Sequence, residues 1–188
     1  YTSDSSECGD DDDLLGDING DGTLNILDVV TIVNLVMSGG YDVVADMNAD
    51  GFLNILDVVS LINQILSNNG GLARGKTATE AAVKYGNGMI SYESDGVIAG
   101  VQLFVSGDFE ITDNFLPVGW DMGIGESTII LYSQDGSHLE DSRLFSYEGD
   151  LQIESSIFAD WYGSSVSTKE ILLPRDYSLD NAYPNPFN

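Results

Sequence analysis

The chain has 188 residues, enough for one or two compact domains. Its 31 acidic and six basic residues leave a formal net charge of −25, which repels nucleic-acid phosphates and anionic membrane surfaces and attracts cations. No apolar run approaches the roughly 20 residues of a membrane span, and the single Cys8 excludes an intrachain disulfide.

In chain order, residues 1–14 read as a flexible acidic leader, with the run Asp10–Asp13 solvated. Cys8 reads as a free thiol; a lipid anchor or an intermolecular disulfide are its other uses, and no apolar signal stretch precedes it. Nothing near Tyr1 reads as a signal peptide, so the sequence reads as a mature product or a fragment. The first basic residue is Arg74, so the first 73 residues carry unbalanced negative charge. Bound metal is the simplest counter-charge.

An internal repeat follows. Residues 17–39 (DINGDGTLNILDVVTIVNLVMSG) and 46–68 (DMNADGFLNILDVVSLINQILSN) align without gaps at an offset of 29 residues (46 − 17), and Leu-Asn-Ile-Leu-Asp-Val-Val is identical in both. Each copy is a polar loop followed by about 13 residues with apolar positions at helical spacing. Ile26, Val29, Val30, Val33, Val36 and Met37 are predicted on one face of the first helix; Ile55, Val58, Val59, Ile62 and Leu66 on that of the second. Gly39–Gly40 and the Asn68–Gly71 run supply stops. Two such helices make a core of roughly 50 residues, a size that usually needs a metal or a partner.

Both loops have the spacing of a calcium loop. Calcium takes roughly six to eight oxygens at about 2.3–2.6 Å, and a twelve-residue loop supplies them from positions 1, 3, 5, 7, 9 and 12 around a Gly at 6. The first loop offers Asp17, Asn19, Asp21, the Thr23 carbonyl, Asn25 and Asp28, turning at Gly22. The second offers Asp46, Asn48, Asp50, the Phe52 carbonyl, Asn54 and Asp57, turning at Gly51. The twelfth residue falls in the first helical turn, where a carboxylate is favoured. Magnesium, which needs smaller octahedral sites with retained water, fits less well. Two calcium ions are expected, with folding of residues 15–68 coupled to their binding.

Residues 69–76 read as a linker. Beyond them the period changes to two, with strands predicted near 82–85, 88–93, 97–105, 108–112, 127–133, 143–147, 151–158 and 164–173. Asp95-Gly96 and Asp135-Gly136 lie between such runs and suit hairpin turns. Short strands at this spacing predict an antiparallel β-sandwich over 77–176, followed by a tail over 177–188. The fold class is thus α+β and multidomain: a duplicated loop–helix module, then a sandwich.

Catalytic constellations are missing from the sequence. There is one His, His138, in a predicted turn, and no His-Glu-x-x-His or Gly-x-Ser-x-Gly. The chain reads as non-enzymatic. Trp120, Trp161 and Tyr162 read as core or interface residues, with a sugar-binding platform as the alternative.

Both loops end in Asp where ordinary EF-hands have Glu, and no helix precedes either. This duplicated DxNxDGxxNxxD–helix pattern over residues 15–68 resembles the type I dockerin family. The resemblance implies a pseudo-twofold module that binds a β-sandwich cohesin and attaches a secreted enzyme to a scaffold. The family's partner-contacting positions, loop positions 10 and 11, are here Ile26–Leu27 and Ile55–Leu56. An identical pair in both repeats would permit two binding orientations; Ile26 and Ile55 could instead belong to the module's own core.

Residues 91–107 (SYESDGVIAGVQLFVSG), 127–136 (STIILYSQDG) and 144–166 resemble a cohesin-type or immunoglobulin-like sandwich. At about 90–100 residues the stretch is short for a cohesin, which raises the expectation of a strand missing or supplied by another chain. Residues 177–188 (YSLDNAYPNPFN) resemble the opening of the C-terminal sorting domain of type IX secretion. These resemblances imply a secreted or cell-surface bacterial assembly module. Its partner is a cohesin-like sandwich protein, or another copy of the chain docked head-to-tail into a filament. The alternatives are an accessory region of a secreted polysaccharide-degrading hydrolase and a carbohydrate-binding module.

Overall fold

The two repeats fold alike, for reasons local to each. The structure is a computed structural model that describes residues 14–68, 75–139 and 141–174. Helix α1 spans Ile26–Ser38 and α2 spans Ile55–Asn68, matching the helical periodicity. Asn25 caps α1: its side-chain oxygen accepts from the Leu27 amide at 2.8 Å, and Asp28 reaches back to accept from the Asn25 amide at 3.0 Å. Asn54 and Asp57 do the same for α2, at 2.8 and 3.0 Å. Gly39, left-handed at φ 68°, ends α1 by donating back to the carbonyls of its last turn. Of the predicted α2 stop, the Asn68–Gly71 run, all but Asn68 lies outside the described residues, as do Cys8, most of the leader, Arg74 and the tail.

Nine strands follow: β1 (Glu80–Gly86), β2 (Met89–Ser94), β3 (Gly100–Ser106), β4 (Phe109–Asn114), β5 (Trp120–Ile124), β6 (Thr128–Ser133), β7 (Arg143–Gly149), β8 (Gln152–Ala159) and β9 (Ser165–Leu172). They form one ladder in the order β4-β7-β2-β1-β9-β8-β3-β6-β5. All pairs are antiparallel except β1 with β9. The ladder folds over a core that takes Val83, Ile90 and Phe145 from one half and Val101, Leu131 and Phe158 from the other. Among the described residues it runs unbroken from β4 to β5, its two edge strands.

Two turn assignments are corrected. β2 and β3 do not pair, nor do β6 and β7, so Asp95-Gly96 and Asp135-Gly136 are not hairpin turns but crossings between the two halves. Asp95 instead accepts from the amides of Thr79 and Glu80, at 2.7 and 3.0 Å, and from Lys76 at 3.4 Å. The end of the predicted linker is therefore already fastened to the sandwich. The β1–β2 hairpin turns at Asn87-Gly88, with φ of 53° and 74°, the Asn-Gly signature of a type I′ turn. The sequence predicts no strand at β5, which is only five residues long and has glycine at 123 and, flanking it, at 119 and 125, the residue that strands disfavour.

A second apolar core lies between the helices and the outer face of the β8-β3-β6-β5 half. It joins Val29, Ile32, Val33 and Val36 of α1 and Ile55, Val59 and Ile62 of α2 to Ala99, Ile130, Tyr132, Ala159 and Trp161. Strands β3 and β6 are thus covered on both faces. Ile129 and Leu131 point into the sandwich, while Ile130 and Tyr132 point at the helices.

Candidate functional site: paired acidic loops and a helix face on a sheet

The loops repeat nearly bond for bond. In the first, Asp17 accepts from the amides of Asp21 and Gly22 at 3.1 and 2.7 Å; in the second, Asp46 accepts from Asp50 and Gly51 at 3.2 and 2.9 Å. Asn19 and Asn48 each accept from the amide two residues on at 2.9 Å. Asp21 accepts from the Thr23 amide at 2.9 Å and Asp50 from the Phe52 amide at 2.8 Å. Asp28 and Asp57 close the loops by accepting from the amides of Asn19 and Asn48, both at 3.3 Å. Gly22 and Gly51 sit at φ 80° and 82° with open space where a Cβ would stand, so it is the backbone angle that requires glycine there.

Among the described residues no ion pair reaches the charges in these loops: the pairs are Lys76–Asp95, Lys84–Glu93 and Arg143–Asp141, all in the sandwich. Asp28 and Asp57 are nonetheless fully buried. Burial pushes the Asp57 carboxyl up, against the amides of Asn54 and Asn48, and the Asp46 and Asp50 charges add to the rise. For Asp46, burial also works against the charge, but the Tyr41 hydroxyl, donating at 3.0 Å, and the amides of Gly51, Asp50 and Ala49 outweigh it and hold the carboxyl low. Tyr41 was not legible as part of the loop, since it stands five residues ahead of it.

No three His, Cys, Asp or Glu side chains among the described residues gather as a metal cluster on their own. The loop donors include Asn side chains and the Thr23 and Phe52 carbonyls. Asn25 and Asn54 spend their side-chain oxygen on the helix caps, which leaves position 9 a role through bound water. A set of hard oxygens, densely acidic and joined by no ion pair among the described residues, has the chemistry of a calcium site.

The predicted partner positions separate. Ile55 and Leu56 are 0% and 8% exposed against the sheet, whereas Ile26 and Leu27 are 45% and 59% exposed. Val30, expected on the buried face, is also exposed, and the unpredicted Ile32 is fully buried in its place. The physical reason is that the start of α2 lies on the sheet and the start of α1 does not.

The sheet side of this contact was missed by sequence reading. The buried Gln102 side chain on β3 accepts from the Ile55 amide at 2.9 Å, taking up a donor of the first turn of α2. A Cβ on Gly100 would stand 2.7 Å from Ile55 Cγ1 and Val59 Cγ2; one on Gly163 would stand 2.8 Å from the Leu56 carbonyl oxygen and overlap Ser60 Oγ. Glycine at these places lets the helix lie close. The available signal was a polar Gln and a Gly on a strand whose neighbour β6, Thr128–Ser133, is apolar on both faces.

Trp120 and Trp161 are buried in different cores, Trp120 donating to the Ser137 carbonyl at 2.9 Å, and only Tyr162 is exposed. They do not form the alternative sugar platform. His138 is exposed, its ring edge-on to Trp161 at 6.3 Å. No described helix is long and apolar enough to cross a membrane.

Residues 15–66 match the Dockerin type I domain family. Similar solved structures include a chain of a type I cohesin–dockerin complex from Clostridium thermocellum, at 14% identity over 55% of this chain and 94% of that one, TM-score 0.34. A non-cellulosomal cohesin from Archaeoglobus fulgidus shares 14% identity over 55% and 94%, TM-score 0.31. A cohesin module of a family 33 glycoside hydrolase from Clostridium perfringens shares 9% identity over 52% and 96%, TM-score 0.29. No curated protein matches the chain. The family match does not extend to residues 177–188, and the sorting resemblance there has no further support.

Proposed function

We propose that this chain is a non-catalytic, extracellular assembly protein in which a calcium-shaped, dockerin-type module docks on a cohesin-like sheet. Residues 15–68 are the docking module, 77–176 the receiving sandwich, and 69–76 their connection. The observation that carries the reading is the seating of a duplicated loop–helix module, through Ile55 and Leu56, on the outer face of β8-β3-β6-β5.

Asp17, Asn19, Asp21, the Thr23 carbonyl and Asp28 would hold one calcium. Asp46, Asn48, Asp50, the Phe52 carbonyl and Asp57 would hold the other, with Asn25 and Asn54 acting through water. Calcium supplies positive charge at the start of each helix; the chain's own residues supply the docking surface. The amide bonds within each loop set the direction of the helix that follows, so the metal acts on recognition through the position of α1 and α2.

The pseudo-twofold supports a second docking orientation. Ile26, Leu27, Val30 and Thr31 correspond to Ile55, Leu56, Val59 and Ser60. Thr31 donates to the Leu27 carbonyl at 2.8 Å as Ser60 does to that of Leu56 at 2.7 Å. Turning the module by half a revolution would offer the sheet the same three apolar side chains, with Thr31 in place of Ser60. Assembly of successive copies head-to-tail, as in a filament, and service as the accessory region of a secreted hydrolase both follow from the same surface.

Calorimetric titration tests the reading: two calcium ions per chain are expected, and Asp17→Ala with Asp46→Ala should abolish binding. A chain that bound no calcium and kept its helices in EDTA would overturn it.

A further inference from the structure

We propose that the chain holds itself in a self-docked form, its own helix pair covering its own β8-β3-β6-β5 face, and that a second copy joins only by exchanging that contact. The inference rests on the docking reading above and adds that the receiving surface is shut in the single chain. Three observations place it there. The second core is continuous across the two modules, from Ile55, Val59 and Ile62 to Ala99, Ile130 and Trp161. Gln102, buried beneath α2, has its side-chain oxygen on the Ile55 amide. Gly100 and Gly163 leave no room for another side chain between helix and sheet. A second copy arriving at the closed chain meets the outward face of α1, with Ile26, Leu27 and Val30 exposed, but its own sheet face is covered in the same way. Two closed chains therefore present no complementary pair.

Seven residues, 69–75, separate the end of α2 from Lys76, which Asp95 already holds to the sandwich (76 − 68 − 1). A tether of that order holds the modules at an effective concentration on the order of millimolar. Below it the internal contact outcompetes the external one, and the affinity for a second copy falls by the fraction of chains that stand open. An exchanged pair keeps every contact of the closed form, which makes a second copy of this chain the occupant that fits the face when it opens.

Complementation between two full-length variants separates the possibilities. Leu27→Asp/Leu56→Asp disables both helix faces and frees the sheet. Gly100→Tyr blocks the sheet, since its side chain would stand where Ile55 and Val59 lie, and frees the helices. At about 10 µM with calcium, well under the tether's millimolar scale, sedimentation should show the wild type and each variant as single chains and the mixture as a one-to-one pair. Wild type should bind either variant at least tenfold more weakly than the variants bind each other. Wild-type dimers or longer species at that concentration, with the variants still pairing, would remove the self-docked form and leave the docking reading standing. Variants that keep wild-type near-ultraviolet circular dichroism for the sandwich yet fail to pair would overturn the docking reading, and this inference with it.

Discussion

The two repeats share seven consecutive residues and almost every loop hydrogen bond, yet the same dipeptide is open in one and buried in the other. Ile26 and Leu27 face solvent; Ile55 and Leu56 lie against β3 and the turn after β8. The local chemistry of the two copies does not account for the difference. What differs is the neighbour: a sheet face with Gln102 set to receive one helix start and glycines cleared beneath it. A helix face can be specified twice by sequence and used once by the fold, and the unused copy remains a usable surface.

The largest expected effect comes from removing a loop's closing carboxylate. Asp28→Ala and Asp57→Ala should each abolish one of two calcium sites by calorimetry. Only Asp57→Ala should also release the sheet, because α2 starts from that loop and docks. Equal loss of docking in both would show that the repeats share the contact.

Next in size, Leu56→Asp should cost about 3 kcal/mol or more by urea denaturation, since it buries a charge in an apolar contact. Leu27→Asp should stay within about 0.5 kcal/mol, as an exposed substitution. Gln102→Leu leaves the Ile55 amide without its acceptor and should cost about 1–3 kcal/mol, with no matching loss from any change near Ile26.

The acid response distinguishes the loops in direction. In the metal-free chain the raised Asp57 carboxyl binds its proton more tightly folded than unfolded. Its contribution is therefore favourable at low pH and is lost as pH climbs from the ordinary carboxylate value through the folded one. Asp46, held low, contributes in the opposite sense: its stabilisation is present above the ordinary value and fades as pH falls through the folded one. Asp57→Asn should thus stabilise the metal-free chain at neutral pH while abolishing the second calcium site, measured by urea denaturation in EDTA and by titration. The smallest effect concerns the turn. Ala49 sits at φ 56° where the first repeat has Gly20, and Ala49→Gly should raise stability by only a few tenths of a kcal/mol, strain relief and chain entropy nearly cancelling.

Much of this was legible in the sequence. Asp/Asn spacing, the twelfth-position carboxylate and the gapless repeat led to both loops and both helices, and period-two alternation led to eight of the nine strands described. What was not legible depends on distant residues. Asp95-Gly96 has the composition of a hairpin but spans two halves of the ladder, because pairing is decided by which strand lies alongside. Strand β5, five residues long and interrupted by Gly123, is defined by its pairing with β6. Gln102, Gly100 and Trp161 acquire their roles only when α2 is laid over them, from 47 residues away in sequence in the case of Gln102 and Ile55. The exposure of Ile26 and the burial of Ile55 could not be told apart from identical words.

Trp161, 2% exposed within the core shared by helices and sheet, reports the central claim that calcium shapes the helix pair that covers this sheet. In a Trp120→Phe chain it is the sole indole. The account predicts blue-shifted emission, protected from acrylamide, with calcium, and red-shifted, quenchable emission after EDTA, restored by adding calcium back. Emission from Trp161 that is equally protected in EDTA, or already quenchable with calcium bound, would contradict it.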